Sequence, residues 1–102
     1  METKRLKLHE RLIDVLDSNN VYFQPPENLK MNYPAIVYTR TNINGNYADN
    51  SIYKRKYTYE ITVIDQDPTS KIVERMLALP CCAFKNHFVS EGLNHDVFIL
   101  TL

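Results

Sequence analysis

From residue 53 to 65, apolar and polar side chains alternate. Tyr57, Tyr59, Ile61 and Val63 hold odd positions, while Lys54, Lys56, Thr58, Glu60 and Thr62 hold even ones. A period of two predicts a strand with one buried and one wet face. Asp67-Pro68 comes next, an N-cap carboxylate and a proline at the first helical position, where a missing N–H costs no bond. Ile72, Val73, Met76 and Leu77 then share one helical stripe opposite Lys71, Glu74 and Arg75, and Leu79-Pro80 closes it. The spacing predicts a helix over 68–79. At about 12 residues it would be marginal alone, so it is expected to dock on the strand before it.

Upstream, Leu8, Leu12, Val15 and Leu16 make the buried stripe of an amphipathic helix over 4–18, with Leu6 and Ile13 at its margins. Lys7, Glu10, Arg11, Asp14 and Asp17 face water, and Ser18-Asn19-Asn20 competes for the last backbone groups. Residues 21–23 read as a short strand, Pro25-Pro26 as an extended exit, and 35–40 as a second strand rich in β-branched and aromatic residues. Residues 42–50 read as a polar loop. Its Asn44-Gly45 favours φ > 0 and a reversal, pairing the 35–40 and 53–65 strands antiparallel. Residues 83–89 read as a strand with Phe84 and Phe88 on one side, and Ser90-Glu91-Gly92 turns the chain. Residues 97–102 are apolar on both faces, as in a strand buried on two sides or meeting another subunit. The prediction is one α+β domain over 1–102, two α-helices packed on one face of a mainly antiparallel β-sheet.

Composition narrows the function. Twelve basic residues balance twelve acidic ones, so no net field draws the chain to nucleic acid or an anionic membrane, and little opposes self-association. At 102 residues the chain buries about two-thirds of its surface, enough for a core without staples. Lys4, Arg5, Lys7 and Arg11 interrupt the first apolar residues, and no apolar run nears the ~20 residues that span a bilayer. The two cysteines, Cys81 and Cys82, are adjacent with diverging side chains. The expectation is an intracellular protein or part of a particle assembled in the cytoplasm. Seven tyrosines against two glycines add a mild interface signal.

Candidate chemistry is sparse. His87, His95 and the cysteines lack the spaced Cys pairs of a structural zinc site. His95-Asp96 could orient a base, yet no Ser or Cys stands in a nucleophile-elbow context, and His-Asp before a strand more often satisfies a turn. Lys54, Arg55 and Lys56 beside Tyr53, Tyr57 and Tyr59 mix the ingredients of a single-strand binding surface without an RRM or KH motif. Gly45 and Gly92 make no phosphate cradle. The residues thus predict an interaction or assembly protein, not an enzyme, with no catalytic, metal or cofactor-binding residues, no cofactor and no small-molecule substrate.

Several segments together resemble the tail completion, or tail terminator, proteins at the head–tail junction of long-tailed phages. They are Ala48-Asp49-Asn50 ahead of Tyr53, the run from Tyr59-Glu60-Ile61-Thr62-Val63-Ile64-Asp65 into Asp67-Pro68, Ser70 with Ile72, and Leu79-Pro80. Phe84 with His87-Phe88, and Leu93-Asn94-His95-Asp96-Val97-Phe98, complete the series. The resemblance spans most of the chain after Tyr33 and rests on order and spacing. It implies a ring, typically a hexamer, in the virion, which ends tail-tube polymerisation and lets the head attach. Its partners would be copies of itself, the tail-tube protein and a head-completion or connector protein. It implies no catalytic residues; Asp67 and Pro68 would cap a helix, and His95-Asp96 would make structural hydrogen bonds. A head-closure or connector role at the same junction, or a small nucleic-acid-binding adaptor, are the alternative readings.

A closed ring needs two different patches per subunit. The candidate subunit interface is Tyr53, Tyr57, Tyr59, Phe98, Leu100 and Leu102. The candidate tail or connector contact is the loop bearing Asn42, Ile43, Asn44, Gly45, Asn46, Tyr47 and Asp49, with Tyr47 as anchor. Lys54, Arg55 and Lys56 are the candidate channel-facing groups, touching passing DNA without reading its sequence.

Overall fold

The alternation around Ile61 sets the middle of the sheet. Tyr59, Ile61 and Val63 are fully buried, and register places Ile36 beside Val63 and Tyr38 beside Ile61 on one flank, Phe98 beside Ile61 and Leu100 beside Tyr59 on the other. The computed structural model describes residues 3–26, 30, 32–48, 51–67 and 71–101. In chain order it has α1 (Thr3–Leu16), β1 (Val21–Phe23), β2 (Ala35–Ala48), β3 (Ser51–Asp65), α2 (Lys71–Leu77), β4 (Cys82–Ser90) and β5 (Leu93–Thr101). The sheet runs β1-β2-β3-β5-β4. β1 lies parallel to β2, and the other pairs are antiparallel. This is an α+β fold with a mixed sheet.

Both helices dock on the face that carries Ile61. Leu8, Leu12, Val15 and Leu16 of α1 and Ile72 and Met76 of α2 join Ile36, Tyr38, Tyr59, Ile61, Val63, Phe98 and Leu100 in one apolar cluster. Arg75 Nη1 donates to the Val15 carbonyl at 3.0 Å, tying α2 to α1. The predicted α1 stripe is therefore borne out. Its end is set by Asp17 at φ 58°, whose N–H, with that of Ser18, reaches back to Ile13 O; this is a left-handed C-terminal cap. In α2, Met76 is fully buried while Leu77 is 46% exposed. Leu77 thus leaves the predicted stripe, and Leu79 beyond the helix packs on the cluster instead. The Pro68 and Ser70 positions lie outside the described residues.

Two expectations about β structure are overturned. Residues 42–48 continue β2 rather than forming a loop, with Asn44 opposite Lys56 and Gly45 opposite Arg55. The reversal falls after Ala48, which pairs with Ser51. A turn at Asn44-Gly45 would place Ala35 opposite Lys54 and leave Ile61 and Val63 without their partners Tyr38 and Ile36. Core register outweighs local turn propensity. An irregularity between Arg40 and Asn42 leaves Thr41 outside the ladder, and its hydroxyl donates to Thr58 O at 3.3 Å.

Phe84 and Phe88 do not share a side. A register shift between Phe84 and Asn86 leaves Lys85 as the extra residue, and one extra residue flips every later side chain. Phe84 meets Phe98 edge-on at 5.6 Å on the helix-bearing face. Phe88 stacks on His95 at 4.6 Å on the opposite face. The turn at Glu91 (φ 52°) and Gly92 (φ 76°) joins Ser90 to its partner Leu93, two consecutive positive φ values being the primed turn that suits hairpin twist. β5 consequently begins four residues before the predicted strand. Val97 and Phe98 are buried on its opposite faces, as predicted for a strand buried on both sides.

Candidate interaction surface

The sheet ends in two unlike surfaces. β1 pairs with β2 only as far as Tyr38, and β5 pairs with β3 only from Thr58 onward. Residues 41–48 and 51–57 therefore form a two-stranded arm that projects past the five-stranded body, and the molecule measures 51 × 27 × 23 Å. On the far side, β4 is the outer strand and its side chains are exposed from Ala83 to the end. Lys85 Nζ reaches Glu60 Oε1 at 3.1 Å, and His87 Nδ1 lies 2.7 Å from Asp96 Oδ1.

The arm gathers the predicted contact and channel groups on one projection. Asn42, Ile43, Asn44, Gly45, Asn46 and Tyr47 lie on β2, and Lys54, Arg55 and Lys56 on β3. Ile43 and Lys56 are exposed; Asp49 lies outside the described residues. The predicted subunit interface does not hold together in the same way. Tyr59, Phe98 and Leu100 are interior residues of the monomer, because their strand partners all face the helices. Tyr57 is half-buried against that cluster, and Leu102 and the Tyr53 side chain lie outside what the structure describes.

His95 and Asp96 are neighbours on a strand, so they point to opposite faces. Asp96 holds His87, while His95 Nδ1 lies 3.1 Å from Leu93 O, so both make structural hydrogen bonds. No group of three or more metal-ligating side chains occurs among the described residues. Cys81 is exposed at φ 60° and Cys82 half-buried. Burial raises the Cys82 pKa. No described helix is long and apolar enough to cross a membrane.

A polar cluster that sequence reasoning missed fastens α1 to the sheet. The Tyr38 ring is fully buried, and its hydroxyl lies 2.7 Å from His9 Nδ1 and 3.4 Å from Arg5 Nη1. The Arg5 guanidinium sits 4.6 Å over the Phe23 ring. Burial first, and the Arg5 charge second, lower the His9 pKa. Arg5 donates to the Tyr38 oxygen, and an imidazole with Nδ1 unprotonated accepts the hydroxyl proton. The available signal was Arg5 and His9 at i and i+4 on the inner edge of the α1 stripe.

No protein-family model matches the chain, and no curated protein matches it significantly.

Proposed function

We propose that this chain is a structural tail-completion protein of the phage head–tail junction, a ring whose arm tips meet the tail tube or connector. What carries the reading is the pairing of a two-helix, one-face α+β body with a long projecting hairpin, alongside the ordered series of motifs that resembles that family. A ring subunit needs two non-identical contact surfaces, and the arm and the β4 edge are non-identical. The arm carries Lys54, Arg55 and Lys56, which suits sequence-blind contact with DNA passing through the ring. Native mass spectrometry of the full chain over a concentration series, alone and with the tail-tube protein of the same genome, tests this. A closed species well above a dimer, of hexameric mass, is expected. A strictly monomeric chain that ignores the tube protein would sink the reading.

The basic triplet on the arm also favours a second reading, a nucleic-acid adaptor. A salt titration of oligonucleotide binding separates the two, since phosphate contacts give a steep negative slope. An absence of binding at low salt removes the adaptor.

A further inference from the structure

Sheet edges with unpaired backbone are templates for another strand, and proteins usually blunt them. The β1 edge is only three residues long. The first half of the β4 edge is interrupted by the irregularity at Lys85, a residue whose charge is held by Glu60. The second half, residues 86–90, is in regular register with β5 and carries Phe88 (44% exposed) and Val89 (63% exposed). Every side chain along it is exposed.

The arm has the opposite need. Residues 41–57 are flanked by neither β1 nor β5, and a two-stranded ribbon with no third strand is marginal in water. Charge also divides between the two parts. Within 41–57, Lys54, Arg55 and Lys56 stand against Asp49, a net of +2, so the other nine basic and eleven acidic residues leave −2 on the body. In the β4–β5 hairpin, Lys85 is outnumbered by Glu91 and Asp96.

We propose that the arm of one copy docks along residues 86–90 of β4 in the next copy, continuing the sheet from subunit to subunit. This deepens the ring reading above and rests on it. The occupant is a second copy because a neutral chain with a basic projection and an acidic body complements itself. Arm and edge differ, so the contact is head-to-tail and propagates instead of pairing off.

Two variants test the contact. One carries Lys54→Glu and Lys56→Glu in the arm; the other carries Asn86→Lys and Val89→Lys on the edge. Circular dichroism checks that both stay folded, and sedimentation velocity reads assembly, with tail-tube protein present where the free wild type is monomeric. The edge variant sets two new lysines against the basic arm, and the arm variant sets two new carboxylates toward the hairpin that holds Glu91 and Asp96, so the assembly midpoint of each alone should rise about tenfold or more. An equimolar mixture should assemble as the wild type does, because each arm then finds a complementary edge on the other variant. Variants that assemble normally alone, or a mixture that fails to recover, overturn the arm–edge contact and leave the ring reading standing. A wild type that stays monomeric and ignores tail-tube protein overturns both.

Discussion

Carrying the Tyr38 hydroxyl into an apolar interior requires a partner, because an unmade buried hydrogen bond costs about 1–3 kcal/mol. His9 supplies it at 2.7 Å, and only a neutral imidazole can accept the hydroxyl proton. Burial, and then the Arg5 charge beside it, hold the His9 pKa below the ordinary 6.5. As pH falls through 6.5 the unfolded chain takes up a proton that the folded chain still refuses, so stability drops until the folded pKa is passed. Chemical denaturation at pH 7.5 and 5.5 should show a larger loss for the wild type than for His9→Gln. Equal losses would mean that His9 is not tuned by this contact. The same scale limits what a sequence can reveal, since the His9–Tyr38 pair spans 29 positions and only the helix–sheet docking joins it.

Periodicity made the elements legible wherever one face meets the core. Tyr59, Ile61 and Val63, like Leu8, Leu12 and Val15, are buried where their spacing placed them. It failed where a single residue breaks the count. The extra Lys85 sends Phe88 to the face opposite Phe84, and no propensity marks a lysine as a bulge. It also over-widened α2, where Leu77 lies one residue past Met76, about 100° further round the helix, and out of reach of the sheet. Met76 is the test of that docking. Met76→Asp would put a carboxylate where the wild-type side chain is fully buried, at roughly 3–5 kcal/mol, a large share of a small domain's stability. Leu77→Asp, at an exposed position, should cost under about 1 kcal/mol. Urea denaturation of the two variants side by side measures the difference, and equal costs would mean a different helix register.

At the scale of the molecule, the body was legible and the arm was not, for one reason. Strands in the body advertise themselves by an apolar face, whereas residues 41–46 hold three Asn and a Gly among six, residues depleted in strands, and are extended by the register set further along, at Ile36↔Val63 and Tyr38↔Ile61. Asn44-Gly45 therefore looked like the end of the hairpin when it is the middle of one strand. Every described residue of the buried cluster, and half-buried Tyr57 with it, lies outside 44–56. Replacing 44–56 by Asn-Gly would close the hairpin directly after the Ile43↔Tyr57 pair, with the turn chemistry a two-residue reversal wants. The shortened protein should unfold within about 1 kcal/mol of the full chain in urea, because it keeps every described residue of the core. In sedimentation it should fail to assemble under conditions where the full chain does. A large loss of stability would make the arm part of the fold, and undiminished assembly would place the subunit contacts entirely on the body.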